Sequence, residues 1–287
     1  MNVRRPVPIL PSAVLTAVAL LVVSLASASL PSAATATDWE RTWGDEFNTT
    51  AGTSPNPAKW VFDLGGEPQW GNQEWQNYTR RPRNVSTDGR GHLAITARRE
   101  SEPLGPCPVG SCDITSGRIT TKGRFSQAYG RFAARMKLPA GQAIWPAFWM
   151  MGRDIDRVGW PNNGEIDIME LLGNDPGTVY GTAHGPGFVN AGIGGEGGLP
   201  GGGPITGSWH VFSVTWGPRK LTWRLDGRRF FELRRSSLKR GQEWVFDHPH
   251  YLLLNLAVGG EWPGEPDATT PFPSTMLVDW VRAFRAR

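Results

Sequence analysis

Between Gly164 and Gly173 the chain reads Glu-Ile-Asp-Ile-Met-Glu-Leu-Leu, which sets three carboxylates, Glu165, Asp167 and Glu170, within six residues. In an extended strand successive side chains face opposite sides, so Glu165 and Asp167 share one face while Ile166 and Ile168 share the other. Strict alternation would drive Glu170 to the apolar side, where an unpaired carboxylate is costly. One extra residue near Ile168-Met169, a β-bulge, returns Glu170 to the acidic face, and the pattern predicts that bulge. Three like charges on one face persist by sharing protons for chemistry, by binding a cation, or as a solvated acidic face, and the pattern alone leaves all three open. The chemistry it suits is glycoside cleavage with retention. That reaction needs one ionised and one protonated carboxyl about 5 to 5.5 Å apart, and crowding of like charges raises one pKa to supply the proton. Asp167 lies between the two glutamates, placed to bond one of them and set its proton affinity.

The surroundings fit sugar binding. The chain holds 14 Trp, and the apolar face of a pyranose stacks on an aromatic ring. Trp145 and Trp149 closely precede the acids, and Trp160 stands five residues before Glu165. Trp70 and Trp75 alternate with amides and Glu74 in the run from Gln69 to Tyr78, a mixture that matches sugar hydroxyls and faces. Trp209, Trp216, Trp223 and Trp280 fall inside strand-like runs and are read as core. His184, one hairpin length beyond the acids, either bonds a carboxylate or a sugar hydroxyl or serves as a structural donor. There is no Gly-x-Ser-x-Gly elbow, phosphate loop or His pair at metal spacing.

The elements that must carry these residues are short and β-prone. Runs at 92–97, 130–136, 209–216, 220–225, 251–258 and 276–284 are separated by Gly, Pro, Asn and Asp. Such spacing implies a sandwich or barrel. Asp226-Gly227 signals a tight hairpin. The glycine-rich segment 185–207 reads as a surface loop, and only Arg234 to Gly241 hints at a helix.

Before Asp38 the chain offers Arg4 and Arg5, an apolar stretch centred on Ala13 to Leu25, and then small residues with cleavage points after Ala28 or Ala36. This is the order of a secretory signal. Cleavage after Ala36 is preferred because domain-like sequence begins at once, so the expected domains are a signal over 1–36 and one all-β domain over 37–287. The formal charge of +4 falls to +2 without Arg4 and Arg5, which does not suit nucleic-acid binding. Arg228-Arg229 and Arg234-Arg235 read as solvated faces. No later apolar run is long enough to cross a membrane. Cys107 and Cys112 bracket a Pro/Gly loop, which in an exported protein reads as a local disulfide, since two Cys without nearby His make too few ligands for zinc.

Taken together, these motifs resemble glycoside hydrolase family 16, whose signature is E-x-D-x-x-E, and within it the bacterial endo-β-1,3-glucanases or laminarinases. The likeness runs from Trp43-Gly44-Asp45-Glu46-Phe47 through Gly71 to Thr79, Ser116 to Ile119, Tyr129 to Pro139, Trp145 to Met150, Gly181 to Gly187 and Leu254 to Gly260, ending at Met276 to Arg282. It implies a jelly-roll sandwich of two antiparallel sheets, one curved into a concave cleft. It further implies a secreted, monomeric, retaining endo-hydrolase of β-1,3-glucan, with Glu165 as nucleophile, Glu170 as acid/base and Asp167 assisting. Asn72, Arg118, Trp145, Trp149, Trp160 and His184 match cleft positions. The resemblance also implies a structural calcium at Glu46, the Gly91 carbonyl and Asp279, with no cofactor for catalysis. Met169 sets the chain apart from the mixed-linkage lichenases of the family, whose signature lacks that residue. Agarases and carrageenases share the longer spacing, and glucan-binding relatives lack the acids. Glu261, where Asn is expected, is a departure.

Overall fold

The alternating short runs fold as strands because β-branched and aromatic residues fill a pleated surface, while the Gly and Pro between them end each run. The computed structural model describes residues 38–102 and 113–287. In chain order the strands are β1 (Trp39–Asp45), β2 (Val61–Phe62), β3 (Gln76–Tyr78), β4 (Val85–Thr87), β5 (Leu93–Arg99), β6 (Ile114–Ser116), β7 (Arg118–Thr120) and β8 (Gly130–Lys137). There follow β9 (Ile144–Gly152), β10 (Glu165–Glu170), β11 (Val179–Gly185), β12 (Phe188–Gly197), β13 (Trp209–Gly217), β14 (Lys220–Leu225), β15 (Arg228–Arg234), β16 (His250–Val258) and β17 (Ser274–Ala286). A four-residue helix, Ile155–Val158, and a 3₁₀ turn, Arg235–Ser237, are the helical segments among the described residues.

Two sheets face each other. The first runs β15-β14-β13-β8-β17-β5-β6-β3, with β1 added on β17 and β4 on β5; the second runs β12-β11-β10-β9-β16-β7-β2. Every pairing between these strands is antiparallel except β3 with β6. The inward faces meet in one apolar layer. Phe132, Ala134 and Met136 of β8 and Phe212, Val214 and Trp216 of β13 point in from the first sheet. Phe148, Met150, Ile166, Ile168, Leu252, Leu254 and Leu256 oppose them from the second. The sandwich thus leaves the second sheet's other face free to form a cleft.

Several expectations meet corrections here. The stretch 185–207 is not all loop, since it contains β12, the ten-residue edge strand paired with β11. Glycine supplies no periodicity to read, yet it lets neighbours approach: a Cβ at Gly195 would sit 2.6 Å from the Phe231 ring, and one at Gly197 2.6 Å from Phe230. Between Arg234 and Gly241 only the 3₁₀ turn forms. Trp216 and Trp223 are core as expected. Trp209 and Trp280 instead lie on the outer face of the first sheet, beneath the guanidinium groups of Arg135 (4.9 Å) and Arg282 (4.2 Å). An indole is amphipathic enough for that position when a cation covers it. The Asp226-Gly227 hairpin is present, with both residues at positive φ (49° and 79°) as a type I′ turn requires. Segment 1–36 and the Cys107–Cys112 pair lie outside the described residues.

Candidate active site

Strand β10 lies between β9 and β11, and its ladder slips where the sequence demanded. Asp167 pairs with Trp149 while Met169 pairs with Phe148, so Ile168 is the additional residue. The slip recurs against β11 between Asp167 and Glu170. Ile166, Ile168 and Met169 are all fully buried in the core, and the outer face keeps Glu165, Asp167 and Glu170. The irregular ladder turns one carbonyl away from its neighbours, and Trp223 of the opposite sheet meets it: Nε1 donates to the Asp167 main-chain oxygen at 2.7 Å. The indole reaches that point because residue 181 on β11 is glycine. A Cβ there would lie 2.5 Å from Trp223 Cδ1.

Each glutamate has an indole donor. Trp160 Nε1 donates to Glu165 Oε2 at 2.8 Å, and Trp145 Nε1 to Glu170 Oε1 at 3.1 Å. Asp167, 3% exposed, sits 3.2 Å from His184 Nε2, an ion-pair distance though not aligned as a hydrogen bond. His184 Nδ1 donates to the Val189 carbonyl at 2.6 Å, which fixes the ring. Burial raises the proton affinity of Glu165, and Asp167 adds to it, taking the pKa to about 8. Glu170 is pushed well above the usual carboxylate range, first by burial and then by Asp167. For His184, burial acts downward but is outweighed by Asp167, Glu165 and the Val189 carbonyl, so the imidazole rises to about 10. The cluster therefore holds an imidazolium beside three acids at neutral pH. One ligand atom each from Glu165, Asp167 and His184 lies within 4.8 Å of the others, a set able to hold a metal ion.

Other expected cleft residues gather round it. Tyr251 and Leu253 of β16 and Met151 and Trp149 of β9 form an apolar floor. Trp149 Nε1 donates to Asn255 Oδ1 at 2.8 Å. Arg118 is held between the Trp70 ring (4.2 Å) and the Trp149 ring (4.8 Å), with its Nε donating to Asp63 Oδ2 at 3.1 Å. Asn72 is exposed and donates to Glu74 at 3.0 Å, and Gln73 bonds Glu261 at 2.8 Å across the rim. Trp160 is 45% exposed and Trp262 42%, and Trp262 meets both Trp145 and Tyr180 edge-on.

The sequence reading gives no role to Tyr180 or Asn255, and takes Tyr78 only as part of a polar run suited to sugars. Tyr180 shares the Trp262 contact. Asn255 and Tyr78 join in a buried relay: Asn255 Nδ2 donates to Tyr78 Oη at 3.1 Å, and Tyr78 Oη donates to Glu74 at 3.0 Å. The signal that could have found Asn255 is a lone amide in an otherwise apolar strand, since buried polar groups seek partners. The expected calcium positions differ in character from the cleft. The Glu46 carboxylate is taken by Arg41 and Arg282, both at 2.7 Å, and Asp279 pairs with Arg135. Side chains already neutralised by guanidinium groups do not fit a divalent cation.

Comparison with known proteins gives the same picture. Residues 72–282 match the model of "Glycosyl hydrolases family 16". A "Beta-glucanase" of Rhodothermus marinus is 38% identical, over 86% of this chain and 85% of that protein. A "Glucan endo-1,3-beta-glucosidase A1" of Niallia circulans is 37% identical over 85% of this chain, which spans 37% of that protein's length. Among solved structures, the catalytic domain of an endo-1,3-beta-glucanase (laminarinase) from Thermotoga petrophila RKU-1 superposes with a TM-score of 0.80 at 44% identity, covering 88% of this chain and all of that one.

Proposed function

The chain belongs to glycosyl hydrolase family 16, and from that premise we propose that it is a secreted, retaining endo-β-1,3-glucanase of the laminarin-cleaving kind. The observation that carries this reading is the bulged strand β10, which aims Glu165, Asp167 and Glu170 from one face into a cleft lined by indoles. Glucan rests on Trp145, Trp149 and Trp160, with Asn72 and Arg118 at the rim and floor. Burial and Asp167 raise both glutamates and His184 acts downward on both; Glu165, which packs closest to Asp167 and His184, is taken as the group that gives up its proton and Glu170 as the group that keeps one. The Glu165 carboxylate attacks the anomeric carbon as Glu170 protonates the departing oxygen. Water then opens the glycosyl ester, with Glu170 taking back a proton. Asp167, paired with His184, steadies the charge of the cluster.

Export through segment 1–36 and an extracellular location belong to the same reading. Among the described residues no helix is long and apolar enough to cross a membrane. A structural calcium at Glu46, Gly91 and Asp279 rests on family resemblance, and the arginines on both carboxylates weigh against it. Reducing-sugar release from laminarin, with lichenan, agarose and κ-carrageenan in parallel, tests the substrate. Laminarin is expected to lead, with first-formed products in the β configuration. Glu165→Gln should lose turnover and keep its fold, and retained activity would sink the assignment of the nucleophile.

A further inference from the structure

The positive charge of this protein is concentrated on one hairpin. From Gly217 to Arg240 there are nine Lys or Arg against two acids, Asp226 and Glu232; the whole chain is only +4, so everything outside this stretch sums to −3. The stretch contains β14 and β15, which end the first sheet on the side of the sandwich away from the catalytic cleft. Where the turn after β13 meets the end of β15, Arg219, Lys220, Arg234, Arg235 and Ser236 line an open cavity of about 650 Å³. Lys220 and Arg234 share Glu232 with Arg229, at 3.7, 2.5 and 3.4 Å. Arg219 and Arg235 have no carboxylate partner among the described residues.

The charge continues across the same outer face. Arg224, two positions beyond Thr222 on β14, donates to Thr215 at 2.9 Å and has no carboxylate partner among the described residues. Arg131 on β8 pairs across with Thr215, its Nε is buried without a partner, and Arg224 is the charge nearest in effect to it. Folding brings these cations together against their own repulsion, and an anion would relieve it. Arginine predominates, and its planar fork matches phosphate oxygens bidentately. Of the four cations around the cavity, Lys220 and Arg234 share Glu232, which leaves Arg219, Arg235 and the Ser236 hydroxyl to meet the oxygens of a phosphate. The face offers a bilayer no exposed apolar anchor: its two indoles, Trp209 and Trp280, are half-buried under Arg135 and Arg282, and the large exposed hydrophobic residues among those described, Trp160 and Trp262, belong to the cleft.

We propose that this basic edge is a second binding site, for a linear polymer bearing phosphate groups, which holds the enzyme while the cleft on the opposite sheet stays open to glucan. The Arg219/Lys220/Arg234/Arg235 cavity takes one phosphate, and the Arg224–Arg131 pair extends the track to the next charges. Binding to fluorescently labelled polyphosphate chains tests it, using the full domain and the Arg219→Gln/Arg235→Gln double variant. Both side chains are exposed and make no ion pair, so the variant is expected to fold as the wild type does. The expected result is a Kd raised by about tenfold or more in the variant, salt-sensitive binding in the wild type, and laminarin turnover unchanged with polymer bound. An Arg80→Gln/Arg90→Gln variant removes the same charge elsewhere, and an equal loss there would reduce the effect to net charge and overturn the site. Inorganic phosphate competing as well as the polymer at equal phosphate concentration would overturn the polymer. Binding to equimolar phosphatidylserine–phosphatidylcholine vesicles with none to polyphosphate would replace it by a membrane.

Discussion

Gly181→Ala tests how the bulge is held. The new Cβ would lie 2.5, 2.8 and 2.9 Å from Trp223 Cδ1, Cγ and Nε1, so the indole must retreat by about 1 Å to reach ordinary contact. A retreat on that scale stretches the 2.7 Å bond to the Asp167 carbonyl out of hydrogen-bond range. Overpacking costs about 1–3 kcal/mol, and a buried carbonyl left unpaired costs about 1–3 kcal/mol more. The same movement frees the turn that aims Glu165 and Glu170, and misplacement by about 1 Å can lower turnover roughly a hundredfold. Urea unfolding and laminarin kinetics should therefore show a destabilisation of about 2–6 kcal/mol, with kcat falling more than KM rises. Trp223→Phe supplies the second arm of a double-mutant cycle. If the indole transmits the strain, the two substitutions combined cost much less than their sum. Full additivity, or a Gly181→Ala enzyme with wild-type stability and kcat, would refute this account of the bulge.

Other consequences can be measured independently. Glu170→Ala should lower kcat by about 10²–10⁴-fold, and added azide should restore rate and give a β-glycosyl azide; no response would remove Glu170 from the acid/base role. Trp160→Phe deletes the donor to Glu165, a bond worth about 1.5–3 kcal/mol at a charged acceptor. Because Trp160 is 45% exposed, water replaces part of it, and the acidic limb of kcat/KM should move up by less than about one pH unit; a downward move would contradict the contact. Stability should fall as pH rises. Glu165 goes from 4.5 to about 8 on folding and His184 from 6.5 to about 10, so the native state holds protons that the unfolded chain has released. The Glu165 contribution is whole below about pH 4.5 and lost through 8, and that of His184 is whole below about 6.5 and lost through 10. His184→Asn should flatten the alkaline part of a urea-midpoint profile, and a wild-type midpoint rising between about pH 7 and 9 would show the linkage to be wrong. Excess EDTA should leave kcat unchanged, since no step above uses a metal; loss of activity restored by calcium would count against that.

What was legible in the sequence was whatever alternation or electrostatic cost forces. Glu170 could not follow strict alternation into an apolar core, so the bulge was predictable to within a residue, and Ile168 is the inserted position. The indoles at 145, 149 and 160 were legible by closeness to the acids. The Asn255–Tyr78–Glu74 relay was not, because its first bond joins residues 177 apart in the chain, and no local pattern encodes it. Trp209 and Trp280 were misread as core because strand periodicity gives a face but not which face is covered, and arginines cover theirs. Strand β12 was missed because glycine has no side chain to reveal a period.

That same strand reverses a common expectation about where a protein tolerates change. A Cβ at Gly194 would sit 2.8 Å from Thr182 Oγ1 of the neighbouring strand β11, and Gly195 and Gly197 lie under Phe231 and Phe230 of β15. The edges of the two sheets are thus seated together by absent atoms rather than by matching side chains. A randomised library across 192–197 should return glycine at 194, 195 and 197 as stubbornly as a core returns leucine, although the segment is only half-buried and looks like spacer. A mutational bottleneck then lies in the stretch whose composition most suggests freedom.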